Sequence, residues 1–286
     1  MSKLYTLALI FILFSCDSRR IVSNDDTIFV DYDKEQIFDW NNTNLKKSFV
    51  SLETADYSIL SYARKCLMSG KYIVYHDEKQ KAIFVFDEEG TFLYVIDAVG
   101  GGPDEYTEIK DMAISCDKEF ILVLDNNSVV SFDLKNGRFQ DRISLPQNIA
   151  SNFYRFANVD KQTFYFWSTE KENSLYLYEN GEMKVIEKRT GFPFVCQKFY
   201  YDSENSLNYI SDYGLFEIHG LEQERVRKKY SFDFGYLNFS KSQMPKNVTE
   251  FEQVDDDESF KCIMSAFETD DDLFIMTVSP DGMLYN

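Results

Sequence analysis

Short apolar or alternating runs recur along most of this sequence, and turn residues separate them. One group of four runs occupies residues 111–117, 119–125, 128–134 and 138–145. The connections Asn126-Asn127 and Asn136-Gly137 are typical of tight hairpins, because Asn and Gly tolerate a positive φ. The pattern predicts four antiparallel strands joined as a meander.

The same unit is repeated along the chain. Three further copies cover residues 63–97, 154–188 and 198–232. The predicted third strands begin near Ala82, Ser128, Ser174 and Gly214. Successive starts are 46, 46 and 40 residues apart, and a period of about 40–50 residues with four strands is typical of a β-propeller blade. A β-sandwich, the competing all-β architecture, would not require a near-constant period.

A polar stretch at residues 236–260 interrupts the repeat and predicts an inserted loop with a short helix. A fifth blade follows, with strands at 261–268 and 272–279 and a third strand at the end of the sequence. About five blades are therefore expected. The ring is expected to be incomplete unless the early runs at 27–33 and 47–53 complete the last blade, since propellers avoid exposed strand edges by closing the ring.

The first residues predict the cellular compartment. Lys3 precedes an almost wholly apolar run at residues 4–14. As a helix this run would span about 16 Å, which is too short for a bilayer core of about 30 Å. Residues 1–15 are therefore predicted to be a secretory signal peptide. Residues 13–16 (LFSC) resemble a bacterial lipobox, which predicts acylation of Cys16.

Acylation would attach the protein to a membrane, because several acyl chains on one cysteine bind stably to a bilayer. The expected location is the cell envelope, as an outer membrane lipoprotein that faces the periplasm or the cell surface. Residues 16–44 are predicted to form a polar tether and an N-terminal strand, and residues 45–286 the propeller.

Composition agrees with an all-β globular protein. Hydrophobic residues make up 44% of the chain and aromatic residues 16%, with 26 Phe and 19 Tyr, and aromatic residues favour pleated, half-buried surfaces. The formal net charge is −18. Such a charge repels phosphate backbones, so nucleic acid is not an expected partner.

A glycine run after the first full blade carries a resemblance to a known family. The run consists of Gly100, Gly101, Gly102, Pro103, Asp104, Glu105 and Tyr106. Together with the flanking segments at 45–54, 71–96 and 108–114, it resembles the six-bladed β-propeller lipoproteins of Bacteroides-type bacteria, which show G-x-G-P-G-E-Y here. Asp104 stands where that family has glycine. The resemblance covers about residues 45–235 and implies six blades, without assigning a molecular role.

Two interpretations of this run are open. Glycines allow close approach of the backbone and could cradle an anion. However, the run connects two strands and lacks a following Lys-Ser/Thr, so a phosphate loop is not supported. The favoured interpretation is an inter-blade turn in which Tyr106 packs and Glu105 caps backbone N–H groups.

Other candidate chemistry is sparse. The acidic runs at 255–258 and 270–272 could bind calcium through oxygen ligands, but their spacing favours solvated loops. The two histidines, His76 and His219, are expected at strand ends on the surface. No catalytic constellation is present. The tripeptide 26–28 fits the short O-glycosylation pattern of the same bacterial group, which makes Thr27 a candidate site in the tether.

The remaining cysteines show no metal or redox spacing. They are Cys66, Cys116, Cys196 and Cys262. An exported compartment permits disulfides, but each cysteine lies in a strand-like apolar run, so a role as a small buried hydrophobic residue is expected.

Two functions are compatible with these features. The leading hypothesis is an envelope-anchored module that binds a glycan, a peptide or an envelope protein on a propeller face, without catalysis and without a cofactor. The alternative is a calcium-assisted hydrolase or lyase acting on a sugar or lactone at the propeller axis. That alternative requires several carboxylates, such as Asp77 and Asp125, to converge on the axis.

Overall fold

The computed structural model describes residues 27–31, 48–240, 244–253, 259, 261–279 and 282–285. The predicted signal peptide at 1–15, the predicted acylation site Cys16, most of the predicted tether and the acidic run at 255–258 lie outside the described residues.

The described chain is almost entirely β-structure, arranged as a propeller-like ring of antiparallel sheets, which confirms the predicted fold class. The first blade contains β2 (Ala63–Ser69), β3 (Tyr72–Asp77), β4 (Ala82–Asp87) and β5 (Phe92–Ile96). The second contains β6 (Asp111–Ile114), β7 (Phe120–Leu124), β8 (Ser128–Asp133) and β9 (Phe139–Ser144). The third contains β10 (Phe153–Asp160), β11 (Thr163–Ser168), β12 (Asn173–Glu179) and β13 (Glu182–Lys188).

The fourth blade contains β14 (Phe199–Tyr201), β15 (Leu207–Ile210), β16 (Glu217–Glu222) and β17 (Arg225–Asp233). A three-stranded sheet follows, formed by β18 (Cys262–Glu268), β19 (Leu273–Ser279) and β20 (Gly282–Tyr285). In all five sheets the consecutive strands pair antiparallel. The first strands β2, β6, β10, β14 and β18 contact one another in sequence, so they form the inner wall of the ring.

The repeat is more regular than the sequence pattern indicates. The third strands β4, β8, β12 and β16 begin at residues 82, 128, 173 and 217, so successive starts are 46, 45 and 44 residues apart. The expected start at Gly214 is wrong, because this glycine turns the chain with a φ of +79° before β16. A constant period follows because each blade must present the same surface to the next one.

The predicted hairpin turns differ in their backbone geometry. Asn180 and Gly181 connect β12 to β13 with φ values of +50° and +90°, as a two-residue hairpin of primed type requires. Asn126 and Asn127 connect β7 to β8 without a positive φ. Tolerance of a positive φ therefore does not explain this turn.

The hydrophobic core consists of seams, each formed where the faces of two consecutive blades meet. Successive residues of a strand point to opposite faces, and most inner strands are buried on both. In β4, Ile83 and Val85 pack against the second blade, and Phe84 and Phe86 face the other way. This explains why these strands are nearly continuous hydrophobic runs rather than alternating ones.

The segment at residues 48–62 covers the free face of the first blade. Phe84 and Phe86 lie against it, and Leu60 packs onto them from the segment. Residues 48–53 form no strand. The prediction that the run at 47–53 adds a strand to the last blade is therefore wrong: Leu52 packs on the first blade instead, and Phe49 is exposed to solvent.

The first strand of the chain also lies elsewhere than expected. β1 (Thr27–Phe29) pairs parallel with β17, in a register that joins Thr27 to Ser231 and Phe29 to Asp233. It therefore extends the outer edge of the fourth blade and does not complete the last one. Thr27 belongs to a strand rather than to the tether.

Short helices occur only beside the blades in the described part of the chain. α1 (Gln147–Ala150) lies between the second and third blades, and α2 (Val248–Gln253) lies in the insert after the fourth, preceded by a 3-10 turn at Gly235–Leu237. Neither helix has the length or the apolar content needed to cross a lipid bilayer.

Candidate functional site

The glycine run at 100–106 forms a compact connection between the first and second blades. Tyr106 is fully buried, and its hydroxyl donates to the carbonyls of Lys81 (2.8 Å) and Ile96 (3.1 Å). Glu105 accepts a hydrogen bond from the Gly102 amide at 2.7 Å. Tyr106 therefore packs in the run, and the carboxylate of Glu105 caps the amide of Gly102. This amide is then not available to bind an anion.

None of the three glycines of the run has a positive φ, and Gly100 is in the closest contact with another group. A Cβ on Gly100 would overlap the carboxylate of Glu105. Asp104, which stands where the lipoproteins that the run resembles have glycine, does not have a positive φ, so this residue causes no backbone strain. Arg142 of the second blade fastens the run through the carbonyls of Pro103 (3.1 Å) and Glu105.

Aspartates at the ends of the second strands of two blades accept hydrogen bonds from neighbouring segments. Asp125 accepts hydrogen bonds from the Thr107 hydroxyl (2.6 Å) and from the Glu108 amide (3.2 Å). Asp77 accepts them from the amides of Tyr62 and Gln80, both at 2.9 Å. Burial opposes ionisation of Asp77, but these bonds outweigh it and lower its pKa. Each carboxylate thus ties its blade to the segment that enters it.

The histidines do not behave as expected from the sequence. His76 is 5% exposed, and burial lowers its pKa. His219 is also largely covered, and its Nε2 lies 3.2 Å from Glu217. The prediction that both are surface residues is wrong, because His76 is buried within the first blade and the His219 side chain is only 13% exposed. They lie in different blades and form no common site.

The four described cysteines divide into two pairs, and none forms a disulfide. Cys196 and Cys262 are buried, as expected, and burial raises the pKa of the Cys262 thiol to about 12. Cys66 and Cys116 are exposed, which contradicts the expected burial. Both exposed thiols line cavities.

The principal candidate site is a channel of about 640 Å³ along the inner wall of the ring. Its lining comes from the first strands of four consecutive blades, from the residues that precede β6 and β14, and from His76 of β3. The polar and charged lining residues are Arg64, Lys65, Cys66, His76, Lys110, Asp111, Arg155, Asn158, Gln197 and Lys198. Pockets that combine an apolar wall with a few convergent polar groups are typical ligand sites.

A chain of contacts across three blades positions the charged groups of this channel. Lys65 Nζ of the first blade lies 2.7 Å from Asp111 Oδ1 of the second. Asp111 Oδ2 accepts a hydrogen bond from the Phe156 amide of the third blade at 3.2 Å. Arg155 precedes Phe156 and donates to the carbonyls of Cys196 (2.9 Å) and Lys110 (3.3 Å). The wall is therefore rigidly connected from the first blade to the fourth.

The lining of the channel contains more basic than acidic side chains. Among the described lining residues, five carry a positive charge and one carries a carboxylate: Arg64, Lys65, Lys110, Arg155 and Lys198 against Asp111. The whole chain, by contrast, has a formal net charge of −18. Burial lowers the pKa of Lys110, as expected for a cation taken out of water.

A second cavity of about 740 Å³ adjoins the channel where the first strands of the blades end. The two cavities share Met68, Ile114 and Tyr201 in their walls. Cys116 lines this second cavity and Cys66 lines the channel. Each cavity therefore contains one exposed thiol that a reagent can modify.

Sequence reasoning did not identify the channel. Its basic residues are spread over more than a hundred positions, and no spacing in the sequence connects them. One signal was present: a basic residue lies directly before each first strand or among its first three residues. The residues that show it are Arg64, Lys110, Arg155, Lys198 and Lys261.

Among the described residues, no group of three or more His, Cys, Asp or Glu side chains could hold a metal ion. The aspartates at 270–272 lie in the turn between β18 and β19, where the Thr269 amide donates to the Asp272 carbonyl at 2.8 Å.

These features define a β-propeller with a basic central channel. The family described as a domain of unknown function, DUF4934, matches residues 25–285, so the chain belongs to this family. No curated protein matches the chain.

Two solved structures are similar in fold. A candidate exported protein of Bacteroides fragilis NCTC 9343 has a TM-score of 0.69 and 14% sequence identity, over 90% of this chain and 75% of that one. A member of the DUF4221 family from Bacteroides vulgatus ATCC 8482 has a TM-score of 0.50 and 12% identity, over 83% of this chain and 84% of that one. At these identities the similarity concerns the fold alone.

Proposed function

We propose that this protein is a lipid-anchored β-propeller of the cell envelope that binds a ligand in its central channel. The observation that carries the proposal is the channel itself, a cavity of about 640 Å³ with polar side chains supplied by four blades. A rigid wall of this kind lowers the entropic cost of ordering the site upon binding. The ligand is a glycan, a peptide or part of an envelope protein.

The anchoring part of the proposal rests on the lipobox-like sequence that ends at Cys16. The name of the similar Bacteroides fragilis protein, a candidate exported protein, agrees with export. Attachment to the outer membrane, six blades in the complete ring and O-glycosylation of Thr27 belong to the same proposal, through the resemblance to Bacteroides-type lipoproteins. Nucleic acid is not among the proposed partners.

The anchor is tested by metabolic labelling with a fatty acid in a Bacteroides host. We expect label on the wild-type protein, recovery in the membrane fraction, and loss of both in Cys16→Ala. Cys66→Ala is the matched control, because it removes an exposed thiol from the propeller and leaves the lipobox intact. An unlabelled wild-type protein would contradict the anchor.

The binding site is tested on glycan and peptide arrays, using the exposed thiols as blocking points. The Cys116→Ser variant retains Cys66, so a bulky maleimide will occupy the channel. The Cys66→Ser variant retains Cys116 and directs the same reagent to the second cavity. We expect array binding to disappear only when Cys66 is modified. Binding that survives this modification would exclude the channel as the site.

The hydrolase or lyase alternative gains no support from the described residues. It requires carboxylates that converge on the axis, and Asp77 and Asp125 instead accept hydrogen bonds from the segments that enter their blades. The only carboxylate in the described lining of the channel, Asp111, is paired with Lys65.

A further inference from the structure

We infer that the channel binds an anionic ligand, with the guanidinium of Arg155 and the ammonium group of Lys65 as its oxyanion contacts. This inference rests on the proposed function and specifies the chemistry of the ligand. The chemical class is a small molecule or terminal residue that carries a carboxylate or a similar oxyanion.

The first argument is charge. Five cations line the described channel, within a chain whose net charge is −18. Four of them have a carboxylate partner, Arg64 with Glu78, Lys65 with Asp111, Lys110 with Glu108 and Lys198 with Asp212, so Arg155 is the lining cation without a described counter-charge. Selective placement of basic residues in one cavity of an acidic protein creates a positive field at that cavity, and low-dielectric walls focus it. The acidic exterior would repel anions, so the channel is the favourable location for one.

A buried ionic cluster lies behind the wall. The carboxylate of Asp212 is shared by two cations, Arg189 and Lys198, and both side chains are almost completely buried. The carboxyl of Glu187 interacts with the same aspartate. Lys198 is also part of the channel lining.

The second argument is the unused donor capacity of Arg155. Its Nε and Nη1 atoms donate to main-chain carbonyls of Cys196, Lys110 and Tyr154, at 2.7–3.3 Å. No described carboxylate forms an ion pair with it, and its Nη2 has no hydrogen-bond partner among the described residues. Three carbonyls thus hold the guanidinium in place, and the two N–H donors of Nη2 remain available for an oxyanion.

Lys65 is placed to act together with Arg155. Asp111 lies between them in the chain of contacts, since it pairs with Lys65 and accepts the amide of Phe156. The Lys65 side chain remains 36% exposed, and an ammonium group has three donors, of which the structure uses one. Phe199 and Tyr201 contribute apolar surface to the same cavity, on which the carbon skeleton of a ligand can pack.

The inference is tested by saturation-transfer NMR on the full chain, with glucuronate, acetate, inorganic phosphate and neutral glucose as probes. We expect the anions to bind and glucose not to bind. Binding of glucuronate without binding of acetate or phosphate would identify an acidic sugar as the ligand class. Competition by acetate or phosphate would show that the oxyanion is recognised by itself. Both results support the inference.

Variants locate the contact. Arg155→Gln should weaken anion binding about tenfold or more, because a charge-assisted hydrogen bond is lost. Arg155→Lys keeps the charge and should retain part of the affinity. Arg227→Gln is the control, since Arg227 lies in the second cavity and is exposed. Circular dichroism spectra that match the wild type establish that each variant is folded.

Three results would overturn the inference: equal binding of glucose and glucuronate, anion binding that Arg155→Gln leaves unchanged, or no binding of any anion. These failures differ from failure of the proposed function. If array binding is lost upon modification of Cys66, the channel is still supported as a ligand site even when the anion inference fails. If array binding survives this modification, both the channel and the anion inference are excluded.

Discussion

The two seams on either side of the third blade are built from different chemistry. The seam between the second and third blades is aromatic: Phe153, Phe156, Phe164 and Phe166 stack within it. The rings of Phe153 and Phe166 lie 4.9 Å apart, centroid to centroid. We call this the aromatic seam.

The seam between the third and fourth blades contains a buried ionic cluster of Trp167, Arg189, Lys198 and Asp212. The Trp167 indole donates to Asp212 Oδ1 at 2.7 Å, Lys198 Nζ lies 3.2 Å from the same oxygen, and Arg189 binds the other. The ammonium group of Lys198 also lies 4.8 Å from the indole centroid. We call this the ionic seam.

A single strand supplies both chemistries. β11 alternates, so that Phe164 and Phe166 enter the aromatic seam while Tyr165 and Trp167 enter the ionic one. Apolar packing tolerates changes of shape within limits. A buried ionic cluster does not tolerate loss of a member, because the remaining charges are left without compensation. The comparison therefore predicts unequal sensitivity across one blade.

The largest effect is expected for Asp212→Ala. It leaves two buried cations and an indole N–H without their acceptor, which should cost about 3–5 kcal/mol of unfolding free energy. Urea denaturation measures this loss. The triple variant Arg189→Met, Lys198→Met and Asp212→Leu should recover much of the stability, since apolar replacement of a buried ion cluster is often neutral. A loss below 1 kcal/mol in the single variant would contradict this account.

A smaller effect is expected in the aromatic seam. Phe166→Leu keeps most of the apolar volume but loses ring contacts with Phe153 and Phe156, which should cost about 1–2 kcal/mol. The same denaturation experiment provides the comparison. If Phe166→Leu proves more damaging than Asp212→Ala, the proposed difference between the seams is wrong.

A pH dependence is expected beside the ionic cluster. Burial raises the pKa of Glu187, although His219 and the Ser174 hydroxyl oppose this. Because the folded pKa lies above the unfolded one, the contribution of this group is fully present below about pH 4.5 and is lost as pH rises through the folded pKa. In Glu187→Gln this decline should be absent when stability is measured between pH 4 and 8. Parallel curves for both proteins would exclude the effect.

The smallest effect is expected at the exposed rim of the same seam. Lys184 Nζ and Glu224 Oε1 lie 2.6 Å apart across the third and fourth blades, and both side chains are exposed to water. Solvent screening removes most of the stabilisation that such an ion pair could give to the folded state. Lys184→Ala should therefore leave the urea midpoint unchanged within error, and a clear shift would show that the rim also stabilises the seam.

Most strands were predictable because each one satisfies a local rule. The runs at 63–69, 82–87 and 182–188 are strands with the predicted bounds. Pairing within a blade also follows from the sequence, since short turns force consecutive strands to be neighbours. The propeller repeat could therefore be recognised without coordinates.

Contacts between distant segments were not predictable in the same way. The apolar pattern of residues 27–29 shows that they form a strand, but any exposed strand edge could have accepted it, and it pairs with β17. Residues 48–62 are apolar enough to cover a blade face, and the sequence does not say which face. The exposure of Cys66 and Cys116 also follows from tertiary structure, because both residues line cavities formed by several blades.

The sequence by itself determined the β-class, the blade repeat and the hairpin connections, because alternation and turn chemistry act over a few neighbouring residues. Only the tertiary structure decided which basic side chains share the channel and which aspartates connect a blade to the segment that enters it. The reason is geometric: residues such as Lys65, Asp111 and Arg155 are more than forty positions apart and meet only when the blades stack around an axis.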